Sequence, residues 1–210
     1  MKNQFDILSL AICCWSLVVK LRLLVIKGCC KVTKVCYNNL MSTIILPGFS
    51  QHNEEWAKEL KDALADDLVL IHFWLHWITQ NDSDFLIENE IPRILEKIDD
   101  QRINIVAKSI GTFITMFLLE KIPEKINKLV LLGIPFNDLS KEEIKKYEII
   151  KSFDPKKILI IQNSQDPHGS FNDIFKYFYN LNNQIEILKQ DSLTHEYPYY
   201  QIINNFLNNN

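Results

Sequence analysis

From residue 41 onward, short runs of Ile, Leu and Val alternate with longer stretches in which apolar residues recur every three or four positions. Apolar runs that barely alternate with polar residues suit strands covered on both faces. Their alternation with helical periodicity calls for a parallel sheet flanked by helices. Strands are expected at 43–46, 68–73, 103–107, 128–132, 157–162 and 184–189, and helices at 54–65, 83–98, 110–121, 141–150, 171–180 and 199–207. Ser140 followed by Glu143 spells a capping box, and Ser170 is a plausible N-cap for the helix opening at Phe171. Pro92 is expected to bend or split the second helix. The pattern reads as an α/β three-layer sandwich with a six-stranded, mostly parallel sheet. Residues 134–156, which separate the fourth and fifth strands, are too few for a lid once one helix is placed there.

In open α/β sheets ligands bind at the carboxyl ends of the strands. There the third strand runs straight into Ser109, with an apolar helix following and Gly111 in its first turn. The small residues Ala107 and Gly111 keep such a bend free of clashes. A serine before a helix is ordinarily an N-cap, so Ser109 takes its meaning from its partners. Asp166 falls in the loop after the fifth strand and His195 in the loop after the sixth. Imidazole titrates near neutrality and serves as the base that a serine hydroxyl needs, while a carboxylate fixes its tautomer. After the first strand, Pro47-Gly48-Phe49 is either a simple turn or the backbone of an oxyanion site. In the second case the donors are the Phe49 and Ile110 N–H groups, the latter at a helix N-terminus.

Other assignments are weaker. His168 shares the acid's own loop, and Asp191 and Glu196 flank His195 too closely in sequence to orient its ring. His72 and His76 lack the glutamate after the first histidine that a zinc hydrolase requires, so no metal is expected. The aromatic cluster around Trp74 and Trp77 is read as a wall beside the site. With Gly48, Phe49 and Phe136 it would border a shallow acyl pocket for small esters.

From Met41 to its end the chain resembles small single-domain α/β hydrolases of the serine type. It is similar to short, lidless bacterial hydrolases and to the retinoblastoma-binding serine hydrolases. It departs from them at Ala107, where most members have glycine, at Lys108, where many have histidine, and at Pro47, where lipases and esterases often have histidine. The resemblance implies hydrolysis of an ester, thioester or amide through an acyl-enzyme, without a cofactor. Two alternatives stay open. One is a non-catalytic interaction module that keeps the fold, and the other is transfer of the acyl group to an acceptor other than water.

Length and charge bound the rest. With 210 residues, 47% of them hydrophobic, the chain suits one core. The net charge of −3 divides into +5 over residues 1–40 and −8 over the remainder. An acidic body argues against nucleic acid as a partner, leaving a small acyl substrate; the oligomeric state is open. All five cysteines precede Met41, so the body has no disulfide framework, which fits a reducing, cytoplasmic setting. Residues 7–19 form an uncharged run, short of the roughly 20 residues a membrane span needs. Residues 1–40 are therefore read as an upstream extension with Met41 as the working start, as a membrane-associating segment, or as a structural element. The hydrolase domain is expected over 41–210.

Overall fold

In the first strand, β1 (Met41–Leu46), every residue after Met41 is buried. Ile44 and Leu46 join one hydrophobic cluster and Ile45 the other, because successive side chains point to opposite faces of a sheet. A strand of this kind must be covered on both sides. The structure, a computed structural model that describes residues 41–64, 68–98 and 102–209, supplies both layers. The expectations for residues 1–40 lie outside the described residues.

The remaining strands are β2 (Val69–Ile71), β3 (Arg102–Lys108), β4 (Ile126–Leu132), β5 (Ile158–Asn163) and β6 (Glu186–Gln190). They form one six-stranded sheet in the order β2-β1-β3-β4-β5-β6, and every pairing is parallel. Helices α1 (Asn53–Leu64) and α7 (Tyr200–Asn208) cover one face, where Trp56, Leu60 and Ile203 meet Ile45, Val106 and Val130. Helices α3 (Ile87–Ile98), α4 (Ile110–Lys121) and α6 (Phe171–Leu181) cover the other. Full burial of each such Ile or Leu side chain is worth about 1.5–3 kcal/mol. Helix α4 runs against the middle of the sheet and is buried nearly all round, with Thr112 and Thr115 returning their hydroxyls to the carbonyls of Ser109 and Gly111.

The strand expected at 68–73 is shorter, β2 keeping only Val69–Ile71, and three helical elements also differ from the sequence pattern. Helix α3 begins only at Ile87, after a 3-10 turn at Asp82–Asp84, and continues unbroken through Pro92. The hydrogen bond that proline omits belongs to the carbonyl of Glu88, on the exposed side of the helix. Between Trp74 and Gln80 lies a short helix, α2 (Leu75–Thr79), that the apolar pattern does not announce. The expected helix at 141–150 is one α-turn, α5 (Lys141–Ile144), opened by the Ser140–Glu143 capping box and continued as a 3-10 helix over Lys145–Ser152. Its Tyr147 is buried and shares a 2.7 Å hydrogen bond with the Thr112 hydroxyl, so the β4–β5 connection packs onto α4 and builds no lid.

Candidate active site

Ser109 stands between the end of β3 and the start of α4, with φ 54° and ψ −122°. An N-cap serine has extended backbone and its hydroxyl accepts from the helix; Ser109 does neither. The left-handed backbone costs on the order of 1–3 kcal/mol and persists only where its surroundings enforce it. Two contacts do so. Ser109 N–H donates to the Leu132 carbonyl (2.9 Å), extending the β3–β4 ladder by one rung. On the other side Gly111 lies so close to β1 that a Cβ there would sit 2.2 Å from the Leu46 carbonyl oxygen. The start of α4 is thereby pressed against the loop that holds Gly48 and Phe49. No acceptor among the described residues takes the Phe49 or Ile110 N–H.

Asp166 and His195 meet directly. The His195 Nδ1–Asp166 Oδ2 distance is 2.7 Å, with the carboxylate side chain buried and the imidazole one-fifth exposed. Because a carboxylate only accepts, Nδ1 carries the proton and Nε2 is left with its lone pair. That Nε2 is buried and has no hydrogen-bond partner among the described residues. Tyr197 donates its hydroxyl to the same Oδ2 (2.5 Å), and His168 N–H donates to Oδ1 (2.8 Å). Burial works against the charge on Asp166, but the hydrogen bonds from His195 and Tyr197, the positive charge of the His195 ring once it is protonated and the His168 N–H outweigh it and hold the carboxyl below its ordinary range.

Sequence reasoning missed the groups that hold these loops. Gln162 and Asn163 end the otherwise apolar β5 and are fully buried. The Asn163 amide donates to the Thr194 and Glu196 carbonyls (2.7 and 2.9 Å), on either side of His195. Gln162 donates to the Gly169 carbonyl (2.6 Å) and accepts from Ile134 N–H (2.9 Å), pinning the loop of Asp166. Two consecutive polar residues closing a buried strand were the available signal, because buried amides need partners. Lys108, also fully buried, pairs with Glu196 Oε2 at 3.2 Å.

The weaker assignments fall elsewhere. His168 pairs through Nδ1 with Asp138 (2.6 Å), and its ring lies 4.3 Å from that of His195. Glu196 turns to Lys108 and Asp191 to the Ser164 hydroxyl. His72 is buried against Glu90 (2.7 Å), which also accepts from Arg93 and from Leu75 N–H.

The expected pocket wall needs correction. Trp74 is wholly buried and edge-on to His72 and Phe85, and it donates to the Gly48 carbonyl (3.0 Å) from beneath the loop. It presents no face to a ligand. Trp77 is nearly buried and donates to the Phe49 carbonyl (2.7 Å). With Phe49, His76 and Gln80 it lines a surface depression of about 200 Å³ that does not include Ser109, Asp166 or His195. Phe136 is half-buried among Tyr147, Tyr177 and Phe178.

This fold and this meeting of loops at the carboxyl edge define a hydrolase-type α/β protein, and residues 44–158 match the alpha/beta hydrolase fold family. The chain belongs to that family. No curated protein matches it in sequence. Among solved structures it is similar to a putative hydrolase from Pectobacterium atrosepticum (15% identity, 83% of this chain and 94% of that one covered, TM-score 0.56). It is similar as well to a carboxylesterase from Bacillus subtilis (10%, 81% and 84%, 0.55) and to alpha/beta hydrolase domain-containing protein 10 from mouse (11%, 79% and 87%, 0.54). At these identities the likeness establishes the fold. Among the described residues no helix is long and apolar enough to cross a membrane.

Proposed function

We propose that the protein is a serine hydrolase that cleaves a small ester, thioester or amide through an acyl-enzyme on Ser109. The observation that carries this reading is the His195 ring, held to Asp166 through Nδ1 with a buried Nε2 that has no partner among the described residues. In the reaction Ser109 Oγ attacks the substrate carbonyl carbon while its proton passes to Nε2. The developing oxyanion takes hydrogen bonds from the Phe49 and Ile110 N–H groups. The imidazolium then returns its proton to the leaving group as the carbonyl–leaving-group bond breaks. A water molecule, deprotonated by the same Nε2, attacks the acyl-enzyme and regenerates the Ser109 hydroxyl. The packed β4–β5 connection favours small soluble acyl groups, and comparable turnover of short-chain and very long-chain esters overturns that part.

A fluorophosphonate probe tests the nucleophile. Wild type is expected to label at neutral pH and Ser109→Ala to remain dark. Labelling that survives the substitution, or an unlabelled wild type, overturns the proposal.

A further inference from the structure

The loop after β1 is gripped from below by three ring N–H donors. Trp74 Nε1 donates to the Gly48 carbonyl (3.0 Å), and Trp77 Nε1 and His76 Nε2 both donate to the Phe49 carbonyl (2.7 and 2.8 Å). These carbonyls belong to the two peptide units on either side of the Phe49 Cα. Within a planar trans peptide the C=O and N–H point in opposite directions. A donor holding the Gly48 oxygen therefore turns the Phe49 N–H to the far side of that peptide, away from Trp74. The second peptide is fixed by two donors at once, so neither dihedral of Phe49 is free. His76 adds a ring stack on Phe49 (4.4 Å, 17°), and the buried Trp74 is braced by His72 and Phe85. The Phe49 carbonyl accepts from His76 Nε2, so that nitrogen carries the ring proton, and the buried Nδ1 has no partner among the described residues.

We infer that Trp74, His76 and Trp77 are positioning residues that aim the Phe49 N–H at the oxyanion formed on Ser109. This rests on the serine-hydrolase reading. None of the three touches the reacting atoms; they act through the backbone of Gly48 and Phe49. Phe49 is exposed, and a backbone carbonyl at such a residue finds water as readily as a partner. Three buried or nearly buried ring donors on two adjacent carbonyls instead form a rigid mount, and preorganised donors stabilise an oxyanion only when their direction is set in advance.

The test uses the full chain, p-nitrophenyl acetate as substrate and a fluorophosphonate as titrant. Trp74→Phe, Trp77→Phe and His76→Leu each remove one donor, whereas His76→Gln keeps an N–H at the position of Nε2. Loss of a well-directed oxyanion donor lowers kcat about 100- to 1000-fold, and misdirecting one is expected to cost roughly 10- to 100-fold. The expected result is that kcat and kcat/KM fall together in the first three variants, with His76→Gln within about threefold of wild type, since the lost interaction is made only in the transition state. Fluorophosphonate labelling should be slower but reach the same final extent, which separates a misaimed donor from a partly unfolded sample. Wild-type kcat in the donor-free variants overturns the inference alone, as does a loss explained by a reduced labelled fraction. A wild type that neither turns over ester nor labels overturns this inference and the hydrolase reading together.

Discussion

Lys108 and Glu196 form a 3.2 Å ion pair between the residue preceding Ser109 and the residue following His195. The lysine side chain is completely buried and lies 5.5 Å from the Trp56 ring centre, while the carboxylate is 58% exposed. Burial pulls the Lys108 ammonium below its usual range, although Glu196 and Asp166 act to raise it. The pair ties the loop of the proposed base to the strand of the proposed nucleophile.

Removing the carboxylate leaves that buried charge without its nearest partner. Breaking a fully buried pair costs several kcal/mol and an exposed one under 1, so Glu196→Gln is expected to destabilise by about 1–2 kcal/mol. Lys108→Met, which removes the charge itself, is expected to cost less. A lysine with a lowered folded pKa binds fewer protons folded than unfolded, so its burial cost fades as pH rises toward the usual lysine range. Urea unfolding across pH 7–10 checks both points: the alkaline gain should be present in wild type and reduced in Lys108→Met.

The left-handed backbone of Ser109 predicts a separation of stability from activity. Ser109→Gly relieves the backbone and is expected to stabilise by about 1 kcal/mol after its extra unfolded-state entropy is counted. Ser109→Ala keeps the same φ and gains nothing. Both should lose ester turnover. Thermal melts that rank glycine at or below alanine count against strain at this position.

Tyr197 donates to the carboxylate oxygen that His195 also uses, so Tyr197→Phe removes one of the bonds holding Asp166 ionised. A buried hydrogen bond to a charged group is worth about 1.5–3 kcal/mol, and a loss of that order is expected at neutral pH. Asp166 has a lowered folded pKa; its contribution is present above the ordinary carboxylate range and disappears as pH falls through the folded value. With one donor gone that value rises, so acid unfolding of Tyr197→Phe should begin at higher pH than in wild type. Circular dichroism during acid titration reads the shift.

Gly133 follows β4 with φ 59°, and a Cβ there would lie 2.5 Å from the Tyr197 ring and 2.9 Å from His195 Cε1. Gly133→Ala combines left-handed strain with overpacking, for about 2–4 kcal/mol. It crowds the Tyr197 ring first and then the ring of the proposed base, His195, so turnover in the folded fraction should fall by about 100-fold, the scale of a 1 Å misplacement. Steady-state rates normalised to fluorophosphonate-reactive protein measure this.

What the sequence shows and what it hides follow from how local each feature is. The four central strands, β1, β3, β4 and β5, are visible because burial on both faces leaves long apolar runs, whereas the edge strands β2 and β6 are shorter and more exposed. Ser109 stands out as a candidate because it directly follows β3, and Asp166 and His195 because they lie in the loops after the fifth and sixth strands. Where Trp74 points is not local: its place in an aromatic cluster says it is apolar, whereas its burial and its bond to Gly48 depend on α2 and on Phe85 from a separate turn. Pro92 misleads for a similar reason. Helix α3 starts late enough, and Glu88 is exposed enough, for the omitted bond to be tolerated. Asn163 and Tyr197 reach across more than 30 residues to the loop of His195 and the carboxylate of Asp166, and no spacing rule announces such bonds.

The chain has four tryptophans, and the three among the described residues, Trp56, Trp74 and Trp77, are all buried or nearly so. Each spends its indole N–H on a backbone carbonyl of a site loop: Tyr197 (2.9 Å), Gly48 and Phe49. Indole emission shifts with the polarity and hydrogen bonding around the ring. The protein thus carries its own optical reporters on the two loops that flank Ser109, and the acylation proposed for that serine can be tested by ultraviolet fluorescence without attaching a dye.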